Sequence, residues 1–135
     1  MTDWKRKEIR LPDLAEPISH YTDAVRFGNL LFISGMMAVD KDQRVIGEGD
    51  AVVQARAIFG SLKRILEAEG ASFADVLKVT VFLQNIEDRA RINPVRQEFF
   101  GDARPASSLV EVAKLAIPGL LVEVEAIAGI PEYGS

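Results

Sequence analysis

The chain of 135 residues has no cysteine and one histidine, His20. Without cysteine it cannot form disulfides, a thiolate nucleophile or a Cys-ligated zinc site. One histidine cannot build a His-based metal site, and a Ser-His-Asp triad would have to use His20. The acids of residues 39–50 (VDKDQRVIGEGD) do not have the spacing of a calcium loop. We therefore expect no metal site.

The sequence also lacks long apolar runs and an excess of basic residues. No stretch approaches the roughly 18 apolar residues that a membrane span needs, and no apolar segment follows the basic N-terminus as in a secretory signal. The net charge of −4 argues against nucleic acid as a partner. We interpret the one basic cluster, Arg89, Arg91 and Arg96, as a solvated helix face. We expect a cytoplasmic protein with one domain over residues 1–135.

The first half of the chain contains a hairpin and a helix. Residues 1–20 are irregular, with a possible edge strand at Ile9–Leu11. Gly28-Asn29 then separates two apolar arms, as in a two-residue hairpin turn. The second arm ends at Ser34-Gly35, where a small residue and a glycine let the backbone come close to another group. Apolar residues at helical spacing predict a helix over residues 50–69, with Asp50 as its N-cap and Gly70 after its end.

The second half contains a strand, a helix and two more strands. Residues 75–83 are rich in β-branched side chains, which favours a strand. The pair Asn93-Pro94 predicts the start of the main part of a second helix, which Gly101 ends. Alternating runs on either side of Pro118-Gly119 then indicate a pair of half-buried strands within residues 104–128.

Two carboxylates, Glu123 and Glu125, interrupt the last apolar run. They are two residues apart and share a face of their strand, so this face meets water, a partner subunit or a site. The element order places both helices on one face of a single sheet. Because the other face is apolar and uncovered, we predict that it packs against copies of the chain.

Several separated segments resemble the RidA (YjgF/YER057c/UK114-type) family of enamine and imine deaminases. The segments are GNLLFISG at 28–35, QAR at 54–56, ADVLKVTVFL at 74–83, INPVRQEFF at 92–100, RPASSLVEVAKL at 104–115 and VEVEAIA at 122–128. The resemblance implies an α+β, chorismate-mutase-like fold, a single mixed sheet of about six strands with two helices on one face. It also implies a homotrimer with intersubunit sites for a small molecule, and no cofactor.

The resemblance also implies roles for individual residues. The family's water-positioning carboxylate falls on Glu123, its N-terminal tyrosine on Tyr21 and its hydroxyl residue on Ser34, next to Gly35. The helix-associated asparagine falls on Asn93. Each also has a structural interpretation: Glu123 as a strand carboxylate paired across the trimer, Tyr21 as a packing aromatic, Ser34 as a strand end and Asn93 as a helix cap.

One expected substrate-binding residue is absent. Deaminating members have an arginine in a PARS-type segment that grips the substrate carboxylate, whereas this chain has Ser107 there. A serine offers one neutral donor in place of a cationic fork, which lowers carboxylate affinity by about 1.5–3 kcal/mol or more. Arg104 is the nearest cation, and it can substitute only if the chain is still a loop at that position.

Three functions follow from these observations. The first is hydrolytic deamination of an enamine or imine with an altered substrate range. The second is a non-catalytic or regulatory trimer that binds a small metabolite in the same cleft. A third, the endoribonuclease activity also ascribed to the family, is disfavoured by the acidic charge and by the lack of a histidine pair for acid-base chemistry.

Overall fold

A computed structural model describes residues 4–131, and within that range it contains six strands and two α-helices. In chain order these are β1 (Arg6–Ile9), β2 (Ala24–Phe27), β3 (Leu30–Met37), α1 (Ala51–Ala68), β4 (Val76–Leu83), α2 (Asp88–Phe100), β5 (Ala106–Glu111) and β6 (Val122–Gly129). The strands form one sheet in the order β1-β2-β3-β6-β4-β5, in which β4 and β5 are parallel and the other neighbours antiparallel. This confirms the expected mixed sheet with two helices on one face.

The predicted hairpin is present as β2 and β3, which pair on either side of Gly28 and Asn29. Strand β3 is longer than expected and continues to Met37, because a register shift between Ile33 and Met36 carries it past the small residues at 34 and 35. The edge strand of the N-terminal segment is β1, which begins three residues before the expected position.

Helix α1 begins and ends where its capping residues predict. The Asp50 side chain accepts hydrogen bonds from the backbone N–H groups of Val52 and Val53. Gly70 follows the helix with φ of 75°, a conformation that glycine adopts without steric cost. The apolar face of α1 is buried against the sheet and against α2.

The predicted start of α2 is wrong, because the helix begins at Asp88 and includes Asn93 and Pro94. A proline inside a helix leaves the carbonyl four residues earlier without its N–H partner. That carbonyl belongs to Ala90, an exposed residue that water can reach. Asn93 is therefore an exposed side chain on the helix surface and does not cap it. Gly101, with φ of 59°, ends α2 as predicted.

The last two strands are both present but are not neighbours in the sheet. β5 lies at the edge beside β4, whereas β6 lies between β3 and β4. The crossover through α2 makes β5 parallel to β4, and the chain then returns past Pro118-Gly119 into the centre of the sheet. The turn predicted at these two residues is thus part of the connection from β5 to β6, which lie on either side of β4.

The central strands β3, β4 and β6 each have one buried and one open face. Val79 and Val81 of β4 and Val122 and Val124 of β6 point into the core beneath the helices. The opposite, open face carries large apolar side chains, and Phe32 on β3 is 44% exposed there. Across residues 4–131 the helices are too short or too polar to cross a membrane.

Candidate functional site

Glu123 lies near the start of β6 on the open face of the sheet. It is opposite Met37 of β3 and Phe82 of β4, and its side chain is half-buried. Glu125 follows on the same face and is exposed. The predicted common face of the two carboxylates is thus observed, although their environments differ.

The carboxylate of Glu123 packs directly on the backbone of Gly35. A Cβ atom at position 35 would lie 2.4 Å from Oε2 of Glu123, closer than any real side chain approaches. The register shift in β3 places Gly35 beneath this carboxylate. The small residues at 34 and 35 predicted that the backbone comes close to another group. In the structure this group is the carboxylate of Glu123.

This environment makes Glu123 a stronger base than an ordinary carboxylate. Burial disfavours its charged form and raises its pKa, and the nearby negative charge of Glu125 raises the pKa further. A carboxylate whose pKa is raised in a cleft is suited to accepting a proton at near-neutral pH.

Tyr21 and Ser34 lie in the same cleft as Glu123 and Gly35, with a volume of about 460 Å³. We call it the Glu123 cleft.

Tyr21 is 40% exposed, and its hydroxyl accepts a hydrogen bond from the backbone N–H of Ile18 at 3.3 Å. The Ser34 hydroxyl donates to the carbonyl of Thr22 at 2.6 Å, so its proton is held by the backbone. Because this proton is donated to a carbonyl and not to a base, Ser34 is not activated as a nucleophile.

A buried carboxylate that the sequence did not single out orders the segment before Tyr21. Asp23 is 4% exposed and accepts hydrogen bonds from Arg10 Nη1 at 2.9 Å and from the backbone N–H of Leu11 at 2.8 Å. Arg10 also donates to the carbonyl of Leu14. Asp23 immediately precedes β2. Its contacts therefore hold the N-terminal segment against the sheet, beside the Glu123 cleft.

A second residue that we did not single out, Gln54 of α1, holds the chain before β6. Its fully buried amide donates to the carbonyls of Gly47 and Gly119 and accepts from the backbone N–H of Leu121 at 2.7 Å. Leu121 is two residues from Glu123, so this clamp fixes the entry of β6. In the sequence, Gln54 appears only as part of the QAR segment at 54–56, one of the segments that carry the family resemblance.

The remaining predicted residues lie in a different cleft, between α2 and β5, with a volume of about 850 Å³. Asn93 and Arg96 line it from one face of α2, and Ser107 lines it from β5. Arg104 could substitute for the missing arginine only if the chain is still a loop at that position. It does lie in the loop before β5 and lines the same cleft as Ser107. We call this the α2–β5 cleft.

The interpretation of Arg96 as part of a solvated helix face is wrong. Its side chain is half-buried, and Nη2 donates a hydrogen bond to Ser107 Oγ at 2.9 Å. In the same cluster Arg91 does lie at the surface, paired with Asp88 at 2.6 Å. Of these arginines, Arg91 is therefore a surface residue, whereas Arg96 belongs to the α2–β5 cleft.

One chain does not bring the two clefts together, because they lie on opposite faces of the sheet. Ser107 is opposite Val79, whose side chain points to the helices, whereas Glu123 is opposite Phe82 on the open face. In the part of the chain that the structure describes, the two clefts share no lining residue. Over the same residues 4–131, no group of three acidic or histidine side chains could hold a metal ion.

A family model described as Endoribonuclease L-PSP matches residues 13–130, most of the chain. The chain belongs to this family. RidA from the Antarctic bacterium Psychrobacter shares the fold of this L-PSP protein, with a TM-score of 0.84 and 32% identity over 92% of this chain and 99% of RidA. The resemblance to the RidA group is thereby confirmed.

Several relatives of this L-PSP family protein match over nearly their full length. A RutC family protein of Pyrococcus horikoshii is 43% identical over 90% of this chain and 97% of its own. The 3-aminoacrylate deaminase RutC of Acinetobacter baylyi is 34% identical over 92% of this chain and 98% of its own. The 2-iminobutanoate/2-iminopropanoate deaminase of Dermatophagoides farinae is 35% identical over 93% and 97%, respectively.

Proposed function

We propose that this protein is a hydrolase that deaminates a reactive enamine or imine to the corresponding carbonyl compound and ammonia. Two full-length relatives are named as deaminases of such compounds. The observation that carries the proposal for this chain is Glu123, a half-buried carboxylate whose pKa is raised by burial and which faces an open cleft. The acidic net charge and the single histidine weigh against cleavage of RNA.

The chemistry needs a positioned water and one base. An enamine first becomes its imine tautomer, whose carbon is electrophilic. As the water oxygen bonds to this carbon, Glu123 accepts a proton from the water. Glu123 gives this proton to the nitrogen, which forms a carbinolamine. Glu123 then takes the proton of the carbinolamine hydroxyl and delivers it to the nitrogen, so that the carbon–nitrogen bond breaks and ammonia leaves as the carbonyl forms. Tyr21 lines the same cleft and offers a hydroxyl group that can hydrogen-bond a substrate there.

We further propose that the active protein is a homotrimer with its sites between subunits. The open face of the sheet exposes Phe27, Phe32 and Val110, each about 40% accessible in the single chain. Such an apolar face is stabilised by burial against another copy. Because the two clefts lie on opposite faces of one sheet, a site that uses both must combine the Glu123 cleft of one subunit with the α2–β5 cleft of another.

Ser107 is proposed to change the substrate range. A serine at this position cannot extend a guanidinium beyond the edge of the sheet, so a substrate carboxylate must bind elsewhere or not at all. Substrates should therefore differ in size or in the placement of their anionic group from those of members with the arginine.

The test is hydrolysis of imines generated in solution by oxidation of amino acids. The purified protein should accelerate formation of the 2-oxo acid from at least one member of a series of carboxylate-bearing and neutral imines. Glu123→Gln should reduce this acceleration by about 10²–10⁴-fold, because a general base contributes about that much. Glu67→Gln, an exposed carboxylate on α1, is the matched control and should leave the rate unchanged.

Two outcomes would contradict the proposal. Binding of members of the series without faster hydrolysis of any of them would favour a metabolite-binding trimer. Hydrolysis of the best substrate by Glu123→Gln at the wild-type rate would remove Glu123 as the base.

A further inference from the structure

The guanidinium of Arg96 is held against strand β5 from the neighbouring helix. Residues 93, 96, 97 and 100 form one face of α2, and this face lines the α2–β5 cleft. From this face Arg96 reaches Ser107, eleven positions later in the chain, and donates to its hydroxyl at 2.9 Å. The helix and the strand thus place a guanidinium and a hydroxyl side by side in a cleft.

Within residues 4–131, Arg96 takes part in no ion pair. Glu98 on the same helix pairs instead with Arg56 of α1, at 3.1 Å. Burial lowers the pKa of Arg96, which means that its charge is partly removed from water without a compensating carboxylate. The guanidinium nevertheless remains protonated at neutral pH.

The cleft has a positive balance in a protein that is acidic overall. Its lining contains two cations, Arg96 and Arg104, and one acid, Asp102. Asp102 is exposed, and within residues 4–131 it forms no ion pair with Arg96. A partly desolvated cation that lacks an anionic partner attracts a bound anion more strongly than a solvated one does.

We propose that Arg96 and Ser107 together form an anion-binding subsite that holds the carboxylate of the substrate. The inference rests on the proposed function for the identity of the ligand, whereas the subsite itself rests on the geometry of α2 and β5. Arg96 thereby provides from the helix the guanidinium that Ser107 cannot provide from the strand.

The hydrogen-bonding capacity of the pair suits a carboxylate. A guanidinium has five N–H donors, and the bond to Ser107 uses one of them. Because the Ser107 oxygen accepts from Arg96, its own proton is free to point at a ligand oxygen. A carboxylate can then accept from Arg96 through one oxygen and from Ser107 through the other, with Arg104 adding charge at the rim of the cleft.

The subsite also gives a physical reason for the altered substrate range. An arginine rooted at position 107 would carry its guanidinium away from β5, whereas that of Arg96 lies against the Ser107 side chain. The anion is therefore held closer to β5. A substrate must then span a different distance between its carboxylate and its reacting carbon.

The test is calorimetric titration of the purified protein with butanoate and with its neutral analogue butanamide. Wild type should bind butanoate at least about tenfold more tightly than butanamide. Arg96→Gln should weaken butanoate binding by about 10–100-fold, since charge-assisted hydrogen bonds are lost, and should leave butanamide binding nearly unchanged. Arg89→Gln, an exposed arginine on the same helix, is the matched control and should behave as wild type.

Further variants keep the test decisive if Arg96→Gln does not fold. Arg96→Lys should retain the charge but lose most of the preference for butanoate over butanamide, because a lysine cannot donate to Ser107 and to the ligand from one rigid plane. Ser107→Ala should weaken butanoate binding severalfold. The subsite is overturned if wild type shows no preference for the carboxylate, or if the preference persists in folded Arg96 variants.

Failure of the subsite and failure of the proposed function give different results. If butanoate binding depends on Arg96 but no imine is hydrolysed, the subsite stands and the deaminase proposal fails. If an imino acid is hydrolysed with the same KM by wild type and Arg96→Gln, the deaminase stands and the subsite is overturned.

Discussion

Glu123 owes its basicity to where its side chain lies. Its carboxylate packs on Gly35, where the absence of a Cβ leaves room for it and where burial disfavours its charge. Glu125 adds a second, smaller effect through like-charge repulsion. A raised pKa means that Glu123 is protonated, and cannot act as the proposed base, until the pH rises through its pKa in the folded protein.

Replacing Glu125 with glutamine should therefore shift the acidic limb of the pH–rate profile to lower pH. The change removes a negative charge near Glu123, which lowers the pKa of Glu123, so the active carboxylate form appears at lower pH. Because burial is the larger cause and remains, the pKa stays above its ordinary value. The measurement is kcat/KM against pH for the best imine substrate.

Glu67→Gln is the charge-matched control for this profile. It removes one carboxylate from an exposed position on α1 and should leave the acidic limb in place. An unchanged or upward shift in Glu125→Gln would show that Glu125 does not act on the base.

At the scale of elements, the Glu123 cleft depends on contacts between segments far apart in the chain. Gln54 on α1 joins the loop before the helix to the chain entering β6, through three hydrogen bonds. Asp23 joins the hairpin to the N-terminal segment in a similar way. These buried polar groups set the position of the strands that carry the site.

Gln54→Leu should destabilise the protein by about 2 kcal/mol or more, because it leaves two carbonyls and one N–H without their partner. It should also reduce hydrolysis, since the entry of β6 is no longer held. Urea denaturation measures the first effect, and the imine assay measures the second. In the imine assay, wild type and Gln54→Leu are compared at a temperature at which both proteins are folded.

Gln97→Leu serves as the control, since Gln97 is exposed on α2. Its effect on the free energy of unfolding should stay within about 0.5 kcal/mol, as for most surface substitutions. Equal stability of Gln54→Leu and wild type would rule out the clamp as a stabilising feature.

At the scale of the whole molecule, the sheet has one covered face and one open face. Both helices cover the first, and apolar side chains such as Phe32 remain exposed on the second. Because the two clefts lie on opposite faces, the proposed site that uses both of them needs more than one subunit.

Phe32→Glu should convert the proposed trimer into monomers and abolish hydrolysis while each chain stays folded. A carboxylate on this face would have to be buried unpaired in the interface, which costs more than the apolar contact contributes. Light scattering after size-exclusion chromatography measures the mass, and circular dichroism checks the fold.

Val53→Glu is the matched control, because Val53 is 40% exposed but lies on α1, on the covered side of the sheet. This variant should keep the wild-type mass and activity. A monomeric wild type with full activity would show that one chain holds a complete site.

Much of the fold was predictable because it is encoded locally. The Gly28-Asn29 turn, the Asp50 cap and the helical spacing of residues 50–69 each act over a few positions, and the structure confirms all three. The shared face of Glu123 and Glu125 follows in the same way from the two-residue period of a strand. The start of α2 was not predictable, since tertiary packing carries the helix through Pro94.

The sequence by itself determined the elements, the single sheet and the candidate base Glu123. Only the tertiary structure decided that Glu123 packs on Gly35, that Arg96 meets Ser107, and that Ser107 and Glu123 lie on opposite faces. The physical reason is that periodicity specifies which side of its own element a residue occupies. Which distant segment it meets depends on the order of strands and on the path of the crossovers.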